Sequence, residues 1–423
     1  MNLREKAYCF ALDENAIAHY CSACAKSDRE EKLSRCSSCK LILYCSNDCQ
    51  KADWCLHKAE CKYIKKSGEV GDESLRLVLR LNSKSRVEYE QSAPDMPGTS
   101  RTFEDLMCHT VLIETDYYKK WETQFRKFMA GSNITDQRLK ELYGKMSVNG
   151  FGLSNQNAGK IGLALHIRLS AINHSCKPKT RIAYVGNEAV MVPTEKLAKG
   201  TELTIDEAQH SYINEMLPRK ERRKLLKGKY NFDCYCDGCN DEQRNQSMSG
   251  FACENCGSCV ELGGQCKNCK MPMTCEHIEL CELNNKMVDA AQKSLKTANN
   301  SSVGTQMIIC EKILDLMEGV YYKFNVNFFT VLRCAMGCAL KLQRLPDATK
   351  FGERLIVFHE FYQSPNDLSL LHMKFNVGKL YIAQKNTTKA KTYLLPVQEM
   401  FKEIYGENSV IVKDIRDLLS KNE

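Results

Sequence analysis

The sequence predicts a multi-domain protein of the α+β class, and three observations carry that prediction. Cysteines are concentrated in two segments, residues 21–61 and 234–275. Between them, residues 146–206 contain short alternating runs such as "TRIAYV", "EAVMVP" and "TELTI", which are typical of strands. From about residue 282 onward, apolar residues recur every three or four positions, as they do in helices.

The composition supports packed cores and points away from a membrane protein. Of the 423 residues, 43% are hydrophobic, and the formal net charge is +8. This charge permits an acidic or nucleic-acid partner without requiring one. The N-terminus has no apolar run typical of a signal peptide, and no stretch of about 18 apolar residues predicts a membrane helix.

Cysteine is unusually frequent, at 24 of 423 residues. A chain that is not exported meets a reducing environment in which disulfides rarely persist, so clustered thiols indicate metal binding. Six isolated cysteines are instead expected to be small buried hydrophobes. They are Cys9, Cys108, Cys281, Cys310, Cys334 and Cys338.

Residues 21–61 have the spacing of two closed zinc sites, because paired cysteines two residues apart supply two tetrahedral ligands each. We expect the sites to interleave. The first set is Cys21, Cys24, Cys45 and Cys49, and the second is Cys36, Cys39, His57 and Cys61. Cys55 falls out of register and is not expected to bind. Neither site leaves an open position, so the zinc would be structural rather than catalytic.

A helix is predicted within this segment, capped by Ser46, so that His57 and Cys61 share one face. Residues 62–130 are also predicted to be largely helical, with a polar connection at 90–101. "VGNEAV" predicts a hairpin turn with Gly186 and Asn187 at its tip.

The basic run "RKERRKLLKGK" (219–229) predicts an amphipathic helix with Leu225 and Leu226 facing inward. A nucleic-acid patch is disfavoured there, because no aromatic residues are interleaved to stack on bases. The helices of the C-terminal part predict a tetratricopeptide-like array.

Three further cysteine groups follow the finger-like segment. Cys253, Cys256, Cys266 and Cys269 have zinc-ribbon spacing, with Cys259 and Cys275 as competing ligands. "NFDCYCDGC" supplies only three thiols, Cys234, Cys236 and Cys239. The motif "AINHSCKPK" by itself leaves three roles open for Cys176: a nucleophile with His174 as its base, a metal ligand, or a buried thiol.

Residues 21–61 resemble a MYND zinc finger, and the strands with the motif at 173–176 resemble a SET domain. With the C-x-C-x2-C group and the helical C-terminus, nearly the whole chain resembles the SMYD family of lysine methyltransferases. The resemblance implies a SET-type β-strand core with an inserted MYND zinc finger, a post-SET zinc site and an α-helical TPR-like C-terminal domain. The implied domains are a residual N-terminal SET strand (1–20), the finger (21–61), a helical insert (62–145), the SET core (146–232), the post-SET and ribbon-like cysteines (233–275) and the C-terminal helices (280–423).

The resemblance also implies the site. Cys176 becomes the fourth ligand beside Cys234, Cys236 and Cys239. S-adenosylmethionine would be bound by Asn149, Asn173, His174, Tyr230 and Phe232. Tyr212, ten residues before Arg222, matches the catalytic tyrosine if Asp206 to His210 are an insertion. Otherwise Glu207 occupies that position and the site is catalytically inactive.

One departure from the family lies at the start of the chain. The family begins with a strand and a G-x-G turn, which should precede the finger by more residues than this chain offers. The resemblance therefore implies a truncated SET segment. "GFG" at 150–152 is expected to be a strand turn rather than its replacement.

The function implied is S-adenosylmethionine-dependent protein-lysine N-methylation, with three zinc sites and a fourth at the ribbon. The alternative is a catalytically inactive scaffold that binds partners through its finger and C-terminal helices. A nucleic-acid binder ranks last. The expected partners are a lysine-bearing protein, such as a histone tail, and proline-containing peptides at the finger. We expect a monomeric chromatin regulator in nucleus and cytoplasm.

Overall fold

The computed structural model describes residues 4–84, 91–92, 100–109, 113, 115–129, 134–195, 209–297 and 302–420. The strands are β1 (Arg4–Lys6), β2 (Cys9–Leu12), β3 (Ser34–Arg35), β4 (Leu43–Tyr44), β5 (Gln91–Ser92), β6 (Ser100–Arg101), β7 (Gly150–Ser154), β8 (Lys160–Leu165), β9 (Thr180–Val185), β10 (Glu188–Pro193), β11 (Phe251–Ala252) and β12 (Cys259–Val260). The helices are α1 (Asn47–Ser67), α2 (Glu73–Lys84), α3 (Asp116–Phe128), α4 (Asp136–Asn149), α5 (Arg219–Tyr230), α6 (Asp237–Asn240), α7 (Glu242–Ser249), α8 (Cys275–Thr297), α9 (Val303–Met317), α10 (Val326–Lys341), α11 (Leu345–Tyr362), α12 (Leu368–Ala383), α13 (Thr387–Tyr405) and α14 (Val410–Ser420).

Two antiparallel three-stranded sheets form the β core, in the orders β1-β10-β9 and β2-β8-β7. The segment before the finger therefore contributes two strands rather than the one that was expected. They separate at Ala7 and Tyr8, after which the chain enters the second sheet. At Gly162 of β8 an added Cβ would lie 2.2 Å from the carbonyl oxygen of Ala11, so only glycine allows β2 to pair so closely.

The predicted hairpin is present between β9 and β10, with Gly186 at a φ of +61° that glycine adopts without strain. The expectation of a turn at residues 150–152 is wrong. Gly150 ends α4, and residues 150–154 then pair along β8, so this segment is a strand. The predicted strand "TELTI" lies outside the described residues.

The insert after the finger is less helical than predicted. α2 and α3 are helices, but the described residues between 100 and 109 form turns and the short strand β6. Most of the predicted connection at 90–101 lies outside the described residues. α2 contacts β2 and is buried on nearly all sides, with Leu75, Leu77 and Leu79 in the same apolar cluster as Cys9 and Ala11 of β2.

Helix α5 forms as predicted, but only one of its two leucines faces inward. Leu226 is fully buried, whereas Leu225 is 47% exposed. Successive helical residues point about 100° apart, so both leucines cannot occupy the centre of one narrow buried face. Arg222, four residues before Leu226, fills the rest of that face and is also fully buried.

The C-terminal part is an array of antiparallel helices, α8 to α14, in which sequential neighbours pack on each other. α12 and α13 also cover the β9–β10 hairpin, where Phe375 and Leu394 join Ala183 and Val190 in one apolar cluster. α8 begins at Cys275, which makes that residue helical rather than part of the cysteine-rich segment. None of the helices in the described ranges has the length and apolarity that a bilayer crossing requires. The mixed strand core, cysteine clusters and helical C-terminus confirm the predicted fold class.

Candidate cofactor site and metal clusters

The first two cysteine clusters lie in the finger and interleave along the chain. In each cluster the four ligand atoms lie within 4.8 Å of one another. The Sγ atoms of Cys45 and Cys49 are 3.4 Å apart, and Cys39 Sγ is 3.6 Å from His57 Nε2. Zn–S bonds of about 2.3 Å in a tetrahedron place sulfur atoms roughly 3.8 Å apart, so both donor sets fit zinc in size and softness. Cys55 is exposed and belongs to neither cluster.

Local structure explains how α1 presents three of these ligands, Cys49, His57 and Cys61. Ser46 Oγ accepts the backbone N–H of Cys49 and caps the helix as predicted. His57 and Cys61 then stand one turn apart on the buried face. The helix ends at Gly68, whose φ of +74° is the left-handed conformation common after helix C-termini.

A buried ion-pair network lies behind His57. Its Nδ1 donates to Glu60 Oε1 at 2.9 Å, which leaves Nε2 for the cluster. Arg76 and Arg80 bind the same carboxylate, and they outweigh burial in holding the pKa of Glu60 well below its ordinary value. Arg76 also donates to the carbonyl oxygen of Leu12 at 2.7 Å, so the network joins the finger to β2.

The third cluster brings Cys176 together with the three cysteines of the lid, which we define as residues 230–239. All four sulfur atoms lie within 4.8 Å of one another, although Cys176 is 60 residues from Cys236. At Gly238 an added Cβ would lie 2.8 Å from the backbone of Cys176 and Lys177. Glycine is therefore required where the lid meets the motif segment.

The hydrogen bonds of His174 help to distinguish between the three interpretations of Cys176. Its Nδ1 accepts the backbone N–H of Tyr212 at 3.0 Å, so the neutral ring carries its proton on Nε2. That nitrogen faces Cys176 Sγ at 3.2 Å and donates to it. His174 therefore cannot act as a base toward this thiol, and the geometry favours a metal ligand over a nucleophile.

The fourth cluster joins the cysteines with ribbon spacing. Cys253 and Cys269 have Sγ atoms 3.5 Å apart, and those of Cys256 and Cys266 are 3.7 Å apart. Neither competing cysteine joins them: Cys259 donates its thiol hydrogen to the carbonyl oxygen of Gln246, and Cys275 begins α8. Among the described residues, none of the six isolated cysteines belongs to a metal-like cluster.

The motif at 173–176 runs beside the segment that contains Tyr212. The backbone N–H of His210 donates to the carbonyl oxygen of Asn173 at 3.2 Å, and that of Ser175 donates to the carbonyl oxygen of His210 at 3.0 Å. These bonds hold the two distant segments in parallel. All six predicted cofactor and catalytic residues consequently meet at one cavity.

This cavity, which we call the large cavity, has a volume of about 740 Å³ and lies between the motif segment, β7 and the lid. Ligand pockets commonly measure about 300–1,000 Å³, so a nucleoside-sized cofactor fits. Its lining includes Asn149, Asn173, His174, Tyr212, Tyr230 and Phe232. Sequence reasoning missed Met107, His109, Ser170 and His210, because these come from an insert and loops without a recognisable motif.

The side chains on this lining offer both polar and aromatic contacts. The Asn149 amide nitrogen donates to the carbonyl oxygens of Met107 and Lys145, which leaves its oxygen as the acceptor for a ligand. The Tyr212 ring lies 5.0 Å from that of Tyr230 and 5.1 Å from that of His174. Amide groups beside aromatic faces suit the amino-acid and adenine ends of S-adenosylmethionine.

Tyr212 lies on the lining of the cavity and makes two hydrogen bonds. Its hydroxyl donates to the carbonyl oxygen of Ile172, and its carbonyl oxygen accepts from the Tyr230 hydroxyl at 3.4 Å. Burial raises the pKa of Tyr212 to about 12, so the phenol stays protonated at neutral pH. Glu207, the competing candidate, lies outside the described residues.

Comparison with known proteins agrees with this architecture. The MYND finger family matches residues 20–61. SET domain-containing protein 14 of Caenorhabditis elegans is 37% identical over 99% of this chain and 97% of its own length. N-lysine methyltransferase SMYD2-B of Xenopus laevis is 26% identical over 97% of this chain and 91% of its own length. N-lysine methyltransferase SMYD2 of Homo sapiens is 23% identical over 97% of this chain and 90% of its own length.

The similarity therefore extends from the first strands to the last helix and includes a finger with two interleaved ligand sets. Zinc binding by the finger follows from both the family match and the donor atoms. With the strand core, the lid and the C-terminal helices in the same order, the chain belongs to the SMYD family of SET and MYND domain-containing proteins, whose SMYD2 members are N-lysine methyltransferases.

Proposed function

We propose that this protein transfers a methyl group from S-adenosylmethionine to a lysine side chain of another protein. The observation that carries the proposal is the large cavity, where the end of α4, the motif segment, the segment with Tyr212 and the lid bring six predicted residues together. When bound, the cofactor supplies an electrophilic methyl group on a sulfonium centre.

The protein's own groups would bind and align the reactants. Asn149 offers an amide oxygen, Asn173 lies on the same lining, and Tyr230 and Phe232 offer aromatic faces to the cofactor. The Tyr212 hydroxyl is protonated and donates its hydrogen to the carbonyl oxygen of Ile172. Its oxygen lone pairs can therefore accept an N–H from the substrate amine. Correct placement of two reactants is itself a large rate factor, because it removes the entropic cost of their meeting.

The substrate lysine must lose a proton before it can attack. The reference pKa of lysine is about 10.4, and transfer from water into a largely apolar channel lowers it. Phe151, Tyr212 and Phe232 provide such surroundings around the cavity. We propose that these rings exclude water while the lid closes the cofactor side.

The four cysteine clusters are proposed to hold structural zinc. No cluster leaves a position for substrate, because each already supplies four protein ligands. We further propose that the finger binds proline-containing peptides and that the acceptor is a protein such as a histone tail.

The test begins with a calorimetric titration of S-adenosylmethionine into the purified chain. We expect saturable binding and a raised melting temperature. Absence of both at high micromolar ligand would favour the inactive scaffold, which could still bind partners through its finger.

Transfer is then measured with tritiated cofactor on core histones and a lysine peptide array. Tyr212→Phe should lower the rate by about 100-fold or more while cofactor affinity changes little. Tyr117→Phe is the matched control, because Tyr117 is 71% exposed on α3. Full activity in Tyr212→Phe would remove Tyr212 from the mechanism.

A further inference from the structure

Three of the six isolated cysteines come together in the C-terminal helices. Cys310 lies in the middle of α9, and Cys334 and Cys338 lie one turn apart on α10, which packs against α9. All three belong to the same apolar cluster or pack on it. They line neither the large cavity nor any of the four zinc clusters, so the proposed methyl transfer does not use them.

The register of the two helices places Cys310 opposite Cys334. The thiol of Cys338 donates to Gln306 Oε1 at 3.8 Å, which pairs the two positions across the helix interface. Gln306 lies one turn before Cys310 on α9, and Cys338 lies one turn after Cys334 on α10. In an antiparallel pair the next facing positions are therefore Cys310 and Cys334, and these two thiols hydrogen-bond to each other.

The three thiols differ in their access to solvent. Cys310 and Cys338 are 0% and 4% exposed, whereas Cys334 is half-buried. A reagent from solvent therefore meets Cys334 before the other two. The hydrogen bond from Cys310, aided by Lys341, outweighs burial and lowers the pKa of Cys334 below that of an ordinary thiol. Since the thiolate is the nucleophilic form, Cys334 is also the most reactive of the three.

Geometry favours Cys310 over Cys338 as the disulfide partner of Cys334. Side chains four residues apart on a helix have Cβ atoms about 5–6 Å apart, whereas a disulfide requires a Cβ separation of roughly 3.5–4.5 Å. A bond between Cys334 and Cys338 would therefore require α10 to unwind locally. Cys310 approaches from the neighbouring helix and does not carry this restriction.

We propose that Cys334 and Cys310 are a peroxide-sensitive thiol pair, in which a hydroperoxide oxidises Cys334 and Cys310 then closes a disulfide between α9 and α10. An accessible, acidified thiol beside a second thiol is typical of redox-sensing cysteines. This proposal concerns the C-terminal helices and does not depend on methyl transfer.

The reaction proceeds in two displacements, written here for hydrogen peroxide. The Cys334 thiolate attacks one peroxide oxygen, so that an S–O bond forms, the O–O bond breaks with its electron pair on the leaving hydroxide, and the hydroxide takes up a proton as water. Cys310 sulfur then attacks Cys334 sulfur. The S–S bond forms, the S–O bond breaks, and the second water leaves with the Cys310 thiol proton. Two thiols are oxidised by two electrons in total, and the peroxide is reduced.

The first test uses the unmodified full chain loaded with zinc. It is treated with a small excess of hydrogen peroxide, alkylated in acid and digested with trypsin, and mass spectrometry identifies the cross-linked peptides. We expect the peptide with Cys310 to be joined to the peptide with Cys334 and to be released by dithiothreitol, while zinc measured in parallel stays bound. Absence of this pair, or its appearance only after zinc is lost, would overturn the proposal.

Variants assign the two roles, because trypsin leaves Cys334 and Cys338 on one peptide. Cys338→Ala should keep the cross-link, and its loss there would overturn the choice of Cys310 as partner. Cys310→Ala should leave Cys334 as a sulfenic acid that dimedone captures, whereas Cys334→Ala should lose both products. Cys281→Ala is the matched control, because Cys281 is a fully buried cysteine on α8. A dimedone adduct at Cys310 rather than Cys334 would reverse the assigned roles and contradict the proposal.

Hydrogen exchange measures what the bond does to the array. A disulfide restrains the segment that it closes, so amide exchange in α9 and α10 should slow in the oxidised protein relative to the reduced protein. Exchange in α13 should not change, since that helix lies outside the bridged pair. Faster exchange in α9 or α10 after oxidation would show that the two helices do not accommodate the bond and would overturn the proposed pairing.

Discussion

The finger and the lid both gather cysteines, but they do so over different distances along the chain. The finger places eight ligand residues within residues 21–61, and a helix with a serine cap presents several of them. The lid cluster instead joins Cys176 to cysteines about 60 residues later. The finger is thus built mainly by local structure, whereas the lid cluster exists only because two distant segments meet.

This difference has an energetic consequence. Closing a loop of about 60 residues costs roughly 4 kcal/mol of chain entropy, and a structural zinc site contributes about 10–16 kcal/mol of apparent binding energy. Metal in the lid cluster would therefore offset the closure cost and still hold the cavity together. In the finger, the same metal mainly compensates for a small apolar core.

The largest expected effect comes from breaking the long-range cluster. In Cys176→Ser, zinc content measured by mass spectrometry should fall by one ion per chain from the four that the clusters predict. Cofactor affinity should fall by more than about tenfold, because a tenfold change needs only about 1.4 kcal/mol of the energy that closes the lid. Cys55→Ser is the control, since Cys55 is exposed and outside every cluster. Unchanged zinc content in Cys176→Ser would contradict the comparison.

The next effect tests how the finger is joined to the strand core. Arg80 keeps Asp53 as a partner in Glu60→Gln, but the buried Arg76 loses its carboxylate, which should lower the free energy of unfolding by about 3–5 kcal/mol. Denaturant unfolding followed by circular dichroism measures it. Glu69→Gln, at an exposed carboxylate just beyond α1, should change stability by less than about 0.5 kcal/mol. Equal losses in the two variants would show that the network is not what joins the finger to β2.

Adjacent leucines on α5 test whether packing beneath the lid supports its cluster. Leu226 packs with Cys176, Cys234 and Cys239, so Leu226→Ala should cost about 2–5 kcal/mol and loosen zinc in that cluster. Leu225→Ala should cost less than about 0.5 kcal/mol, because that side chain is exposed. Thermal unfolding with zinc-release measurements compares them, and similar losses would refute the observed orientation of α5.

The smallest effect belongs to the local structure of the finger. Removing the cap in Ser46→Ala should cost about 1 kcal/mol, which corresponds to roughly fivefold faster zinc release to a competing chelator. Ser34→Ala, in the exposed strand β3, serves as the control within the same finger. If Ser46→Ala lowered cofactor affinity as much as Cys176→Ser does, the finger and the lid would not be independent of each other.

Several parts of this arrangement were predictable because their signals are short. The finger ligands follow from spacing alone, and so does the hairpin at Gly186. Which of Leu225 and Leu226 faces inward was not predictable, because either leucine could lie on the buried face of an amphipathic helix until the surface that packs against it is known. The strand at residues 150–154 was mistaken for a turn, since two glycines in three residues indicate turns unless a neighbouring strand pairs with them.

The sequence by itself determined which residues can bind metal and, through its resemblance to a known family, which side chains would surround a cofactor. Only the tertiary structure decided that Cys176 meets the lid and that Nδ1 of His174 is occupied by Tyr212. The physical reason is range: ligand spacing and helix caps act within a few residues, whereas a cavity is made by segments whose contact depends on the packing of the whole chain.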